Sequence, residues 1–375
     1  MRELKILLAL SRYDYRTHRG VANFAAQHNW HLNCEMAING NIPHGWKGDG
    51  IVSLLTDNNA VVDFVTHAGV PFVDLSILRE DVIAPRVVAD NHAIGTLAGE
   101  HFLSKSYKHF AYFSATDDKV ATARKNAFFS CINDQALSIS DWTMRNTQGS
   151  WADKTNRLVQ HLKQAHYPTA IMATRDLDAS MVLEACINHN IQVPEQIAII
   201  GVDNNKLITN SIQVPLSSVN HNVERLGYEG AKLLQQILQG ETPPRKNKLI
   251  MPQGVTTRRS TDCLAVNDSI VKQALGLMQQ HFVNKHYSVE RAAEACGVTR
   301  RTLDSKFKQE LGHSVHTELQ NMRMRAAKET LIHGHHSIFK IAEQCGFNTA
   351  QYFNHTFKQT YGKTPLNFRK QYQKH

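Results

Sequence analysis

Two stretches near the C-terminus, Ala292–Gly312 (AAEACGVTRRTLDSKFKQELG) and Ile341–Gly362 (IAEQCGFNTAQYFNHTFKQTYG), repeat one pattern. Each reads Ala-Glu-x-Cys-Gly, then a short polar turn, then a helix-period run ending in Phe-Lys-Gln and a glycine. A bracing helix, a tight glycine-containing turn and a second helix make a helix-turn-helix, whose second helix is shaped for the major groove of DNA. Two copies place two reading helices on one duplex. The pattern predicts a sequence-specific binder of double-stranded DNA.

Charge supports that reading. The chain has 375 residues and a net charge of +9, and from Asp268 onward it holds 16 Lys and Arg against 8 Asp and Glu. The excess of basic residues therefore sits almost wholly on the repeat-bearing segment, as a phosphate-neutralising surface requires. In the first copy Thr299 is placed to cap the second helix. Leu303, Phe307 and Leu311 share its core face, and Arg300, Arg301, Asp304 and Ser305 face outward. Arg is the usual reader of guanine, and Asp accepts from cytosine or orients an arginine. In the second copy Thr349 is the cap, Phe353, Phe357 and Tyr361 are core, and Gln351, Asn354 and His355 face outward, where Gln and Asn suit adenine edges. His316–Leu331 between the copies reads as a rigid connecting helix.

From Leu4 to about Met251 short apolar runs alternate with amphipathic stretches. Strands are expected at Lys5–Leu10, Gly50–Leu55, Pro71–Asp74, Arg86–Ala89, His109–Phe113, Ala170–Ala173 and Ile197–Gly201. Helices are expected between them, at Arg19–His28, Ala60–Ala68, Ala93–Leu103, Thr122–Asn133, Trp151–Ala165, Asp178–Asn188 and Leu226–Leu238. Such alternation implies parallel sheets wound on both faces. The break near Thr242–Lys248 and the polar stretch that follows divide the chain into an effector domain over 1–262, a linker over 263–269 and an all-α domain over 270–375.

Open α/β sheets bind ligands at the carboxyl ends of their strands. Asp74, Arg124, Arg175 and Asp203 fall there, and Tyr13 and Arg16 lie on the loop after the first strand. Carboxylates and guanidinium forks grip vicinal hydroxyls two at a time, and Trp151 offers a flat face for a pyranose. Three of these have a plainer alternative: Asp203 as a turn residue, Arg124 as a surface cation, Trp151 as a core anchor. Asp90 and Asn91 read as a brace at a strand–helix junction.

Other chemistries find no support. There is no phosphate loop, no G-x-S-x-G, no HExxH and no glycine-rich turn after the first strand, so an enzyme or nucleotide-binding core is not indicated and no cofactor is expected. The six cysteines are scattered without metal-ligand spacing, which suits a reducing cytoplasm. His333, His335 and His336 read as a solvated cluster rather than a metal site. No stretch approaches the ~20 apolar residues that span a bilayer, and the apolar run Lys5–Leu10 reads as a buried strand rather than a leader.

The first region resembles the effector core of lactose-repressor-type regulators and their periplasmic sugar-binding relatives. The resemblance is carried by Val87–Ala98, Pro168–Ala179, Val193–Asn204, Pro215–Val219 and Gly227–Leu234. The second resembles AraC-type activators, with Gly362-Lys-Thr-Pro365 and Phe368-Arg369 completing their signature. The resemblance implies a two-lobed core of the type I periplasmic-binding kind followed by an all-α domain with two helix-turn-helix motifs. In the resembling repressors, positions matching Asp74, Arg124, Trp151, Arg175 and Asp203 lie in the effector pocket, and asparagine is more common where this chain has Arg175. The order of domains departs from those repressors, because here the reader of DNA follows the core. The resemblance implies a sugar effector, a homodimer and, for an activator, RNA polymerase as a partner. The alternatives are a repressor released by its ligand and, in a different class, a sugar-binding transport component.

Overall fold

In a computed structural model of the chain, residues 3–144, 150–266, 268–334 and 336–372 are described. The fold divides into two compact units, Met1–Cys263 and Leu264–His375. No helix among the described residues is long and apolar enough to cross a membrane.

The first unit opens with β1 (Leu4–Leu10), α1 (Tyr15–Gln27), β2 (Trp30–Asn33), α2 (Glu35–Asn39), β3 (Gly50–Leu54), α3 (Asn59–His67) and β4 (Phe72–Asp74). It continues through β5 (Val87–Ala89), α4 (Asn91–Ser104), β6 (His109–Ser114), α5 (Lys119–Ile132), β7 (Ser138–Thr143), α6 (Trp151–Gln164), β8 (Thr169–Ala173) and α7 (Asp176–Asn188). It closes with β9 (Ile197–Val202), α8 (Lys206–Thr209), β10 (Ser217–Val219), α9 (Val223–Leu238), β11 (Lys248–Ile250) and β12 (Val255–Thr256). One sheet has the parallel order β2-β1-β3-β4, and a bridge from Asp74 to Arg86 continues it toward the parallel pair β5 and β11. The other has the order β12-β10-β9-β8-β6-β7, parallel except where β12 meets β10. These are the two lobes of a doubly wound core.

Strands covered on both faces need apolar residues on both. In β1, Ile6, Leu8 and Leu10 pack toward Val21 and Phe24 of α1 and Leu234 of α9. Leu7 and Ala9 pack on the opposite face with Val61 and Val65 of α3. Asp14, Asp90 and Asp118 begin α1, α4 and α5, each accepting a backbone N–H of the first turn. This is why α1 and α5 start earlier than hydrophobic periodicity indicates. The unexpected strands are polar or short: β7 is a half-exposed edge reading SISDWT, and β10 buries two serines.

Helices α1 and α9 approach through glycines. A Cβ on Gly20 would meet the carbonyl oxygen of Glu224, and one on Gly227 would meet that of Thr17. Backbone atoms cannot swing aside as a side chain would.

The second unit is all α, with α10 (Ser269–His281), α11 (Val289–Ala295), α12 (Arg300–Leu311), α13 (Val315–His333), α14 (Ile338–Gln344), α15 (Ala350–Tyr361) and α16 (Pro365–Tyr372). Thr299 and Thr349 cap α12 and α15 through the amides of Thr302 and Tyr352, and left-handed Gly312 and Gly362 end them. Each helix-turn-helix has its own core, Leu303, Phe307 and Leu311 in the first and Phe353, Phe357 and Phe368 in the second. Leu264 and Val266, within the stretch expected to be linker, pack into the first of these cores. Helix α13 serves both, sending Leu319 and Met322 one way and Met324, Ala327 and Leu331 the other. Arg323 fastens it, donating to the carbonyls of Phe282, Asn284 and Tyr287 at 2.8, 3.1 and 3.2 Å. Buried Glu318 accepts from His313 and Arg325, both at 2.8 Å. The His333–His336 cluster falls partly outside the described residues, and among those described no group of three or more metal-ligating side chains is present.

Two outcomes are expected. Gly20→Ala or Gly227→Ala costs about 1–3 kcal/mol by overpacking and lowers the melting midpoint of the first unit by about 2–6 °C. Gly276→Ala in α10, where a Cβ meets open space, leaves the midpoint unchanged or raises it; calorimetric scans decide. The second outcome concerns Glu318. Burial raises its pKa, but the His313 hydrogen bond and the Arg325 charge outweigh this and hold it below its ordinary value. A depressed carboxylate stabilises above its unfolded pKa, and the benefit drains away as pH falls through the folded one. Glu318→Gln therefore weakens protection of α13 amides at pH 7, and hydrogen exchange shows the deficit shrinking only as pH falls below about 4, the ordinary carboxylate range.

Candidate functional site

The carboxyl ends of β8, β9 and β10 and the start of α1 bring a group of charged side chains together between the lobes. Asp203 follows β9. Its Oδ1 lies 3.0 Å from Nε2 of His221, which follows β10. Arg16 of α1 holds the Asp14 carboxylate at 2.6 Å and donates across the lobes to the backbone carbonyl of Asp203. Arg124 is buried; its Nε donates to Asn91 at 2.9 Å and its terminal nitrogen to the Thr174 carbonyl at 2.5 Å. Arg175 donates to Asp118 at 2.8 Å and to the Thr116 hydroxyl at 3.3 Å.

Electrostatics assigns the protons. Burial pushes the Asp203 carboxyl up, but the His221 hydrogen bond and the charges of Arg124 and Arg16 outweigh it, so the group stays anionic. Burial outweighs the Asp203 partner at His221 and lowers its pKa, leaving a neutral imidazole. Its Nε2–H then donates to Asp203, and Nδ1 is left as a buried acceptor without a partner among the described residues. An anionic carboxylate, a vacant imidazole acceptor and guanidinium donors are the complement of a polyhydroxylated ligand. An open cleft of about 510 Å³ meets this group only at Arg16; Asn204, Lys206, Asn222 and Gln253 also line it, whereas Asp203, His221, Arg124 and Arg175 do not.

Of the residues expected from sequence, the structure gathers Arg16, Arg124, Arg175 and Asp203. Asp74 is fully buried and turned into the frame: Oδ1 accepts from the amides of Leu55 and Ser76 at 3.0 and 3.2 Å, and Oδ2 faces Arg86 at 3.4 Å. Tyr13 is 47% exposed, with its hydroxyl against His18 at 3.2 Å. Trp151 begins α6 with 56% exposure, and no hydrogen bond or ring contact among the described residues joins it to the Asp203 group. Sequence reading missed His221, because β10 before it is Ser-Ser-Val and carries little apolar signal. It also missed Asn91 as the partner of Arg124.

In the second unit Arg300, Arg301 and Ser305 are exposed on α12. Arg300 pairs with Glu290 and lies 3.7 Å from Asp304. Asp304 is half-buried, accepting the Val315 amide at 3.1 Å and so closing the start of α13. Gln351, Asn354 and His355 are all exposed on α15, beside exposed Lys358. The two outward faces are thus unequal: one carries two arginines, the other two amides and a histidine beside Lys358.

Comparison with known proteins places both units. Residues 100–261 match the periplasmic binding protein-like domain and residues 292–371 a helix-turn-helix domain. The xylose operon regulatory protein of Escherichia coli K12 is 30% identical over 369 residues, covering 95% of this chain and 94% of that one. Its counterpart in Haemophilus influenzae is 29% identical over 86% of this chain and 84% of its own. The solved structure of a xylose-binding transcription activator superposes with a TM-score of 0.62 at 28% identity, covering 98% of each chain. A LacI family regulator from Mycobacterium smegmatis shares the fold of the first unit, with a TM-score of 0.55, 19% identity and coverage of 68% of this chain and 98% of that one. With both modules matched in order and the likeness running nearly end to end, this chain belongs to the family of the xylose operon regulatory proteins: it is a sugar-responsive, DNA-binding transcription regulator of the AraC type.

Proposed function

We propose that the chain is a cytoplasmic activator of a carbohydrate-utilisation operon whose effector is D-xylose. The observation that carries this is the Asp203–His221–Arg124–Arg16 group, set between the lobes of a chain related over its whole length to xylose regulators. Asp203 accepts two sugar hydroxyls, His221 Nδ1 a third, and Arg124, Arg16 and Arg175 donate. Asp74 supports the pocket from the frame, Trp151 covers the sugar from the α6 side, and Tyr13 stands at the mouth. A sugar held by Arg16 of one lobe and Asp203 of the other favours the closed core. Only this difference in affinity between states can alter DNA binding.

On DNA, Arg301 and Ser305 of α12 read one cluster of bases, with Arg300 on the adjoining backbone and Asp304 orienting α12. Gln351, Asn354 and His355 of α15 read a second cluster. The 19 residues of α13 at 1.5 Å each give a spacer of roughly 28 Å, near the ~34 Å that separates successive major grooves on one face. The active form is a homodimer, and RNA polymerase is the partner through which it activates.

Two experiments test this. Titration calorimetry of the full chain with D-xylose should show saturable binding that Asp203→Ala weakens by about 5–150-fold, the loss of hydrogen bonds worth ~1–3 kcal/mol. Unchanged affinity removes Asp203 from the site, and binding of other sugars in place of xylose reassigns the effector. Footprinting should separate the two readers. Arg301→Ala relaxes specificity at one group of bases, and Gln351→Ala with His355→Ala at another about one helical turn away, each lost contact costing ~1–3 kcal/mol. Changes at the same bases for both variants would mean that only one motif reads DNA.

A further inference from the structure

Asp203 is presented by a turn that its own backbone does not favour. Its φ is +115° and that of Asn204 is +48°, both in the left-handed half of the map. A non-glycine residue keeps such angles only where its surroundings fix them. Here three consecutive amides are tied. The N–H of Asp203 donates to the Val219 carbonyl at 3.1 Å, that of Asn204 to the Ser218 hydroxyl at 2.9 Å, and that of Asn205 to Asp176 Oδ2 at 2.7 Å. Asp176 Oδ1 in turn accepts the Ser218 hydroxyl at 2.6 Å.

Two of the three ties therefore end on one carboxylate. Asp176 is the first residue of α7, fully buried, and lies against Gly201 of β9, where any Cβ would strike its Oδ1. No surface of it reaches the cleft. Burial and the neighbouring charge of Asp203 push its pKa up to about 8, and the hydrogen bonds with Ser218 and the Asn205 amide offset only part of that rise. The turn it holds does two things at once: it aims the Asp203 carboxylate at His221 and the Asp203 carbonyl at Arg16 of the other lobe.

We propose that Asp176 is a positioning residue for sugar recognition: without touching the ligand, it sets the Asp203–Asn204 turn and so fixes both the sugar-gripping carboxylate and the tie to Arg16. This rests on the reading of the Asp203–His221 group as a sugar site.

The test uses the full chain and D-xylose as the probe. Asp176→Ala should weaken binding by about tenfold or more in calorimetry, while Asp176→Asn, which keeps an acceptor for the Asn205 amide, restores part of the loss. In an Asp203→Asn background Asp176→Ala should weaken binding by clearly less than in the unmutated chain, because residues acting partly through one group are not additive. Without sugar, hydrogen exchange should show the Asn204 and Asn205 amides losing protection in Asp176→Ala while those of β9 keep theirs. Equal losses in both backgrounds, unchanged affinity in Asp176→Ala, or unaltered exchange at Asn204 and Asn205 would overturn the assignment. If the unmutated chain does not bind D-xylose, the sugar reading fails by itself, and the exchange measurement alone decides whether Asp176 holds the turn.

Discussion

The charged group between the lobes is arranged around a backbone turn held in a conformation that its residues would not choose alone. At Asp203 the chain leaves β9 with positive φ, and the side chain and carbonyl part in different directions. The carboxylate goes to His221, and the carbonyl goes to Arg16 across the lobes. The surrounding cations have partners of their own. Arg16 is offset by Asp14, Arg175 by Asp118, and Arg124 is buried against Asn91 and a carbonyl. A buried guanidinium without such partners would be costly. The result is a site whose dipoles are fixed before a ligand arrives, which lowers the ordering cost of binding.

The DNA-binding unit solves a different problem, that of keeping two small helix-turn-helix cores in register. Helix α13 gives side chains to both. Arg323 bolts it to the loop after α10, and Gly346 packs so closely on the Phe282 carbonyl that a Cβ there would collide. The rigidity matters because a reader of bases must be placed to within a fraction of a base step. Flexibility between the two motifs would raise the entropic cost of engaging both.

What the sequence made legible follows from which signals are local. Helix α12 was readable to the residue, since Thr299 as cap, the Leu303, Phe307 and Leu311 spacing and Gly312 as terminator all lie within fourteen positions and agree. The long apolar strands β1, β3, β6, β8 and β9 were legible for the same reason. Strand β10 was not, because its buried serines are satisfied by distant partners, Ser217 by Arg258 and Thr261 and Ser218 by Asp176. His221 was lost with it. The candidate site was legible as types of residue at strand ends, of which Arg16, Arg124, Arg175 and Asp203 lie together. Asp74 shows the limit of that logic: a carboxylate at a strand end also serves to tie loops, and only its partners Leu55, Ser76 and Arg86 reveal which role it has taken.

The central claim is that a neutral, polyhydroxylated sugar completes the hydrogen bonds that this charged group leaves open. A crystal structure of the full chain grown with D-xylose tests it most directly. The expected result is one pentose between the lobes, with hydroxyls on the Asp203 carboxylate, on His221 Nδ1 and on at least one of Arg16 and Arg124. A pentose bound elsewhere on the chain, or one in the cleft with His221 Nδ1 and Asp203 both untouched, would contradict it.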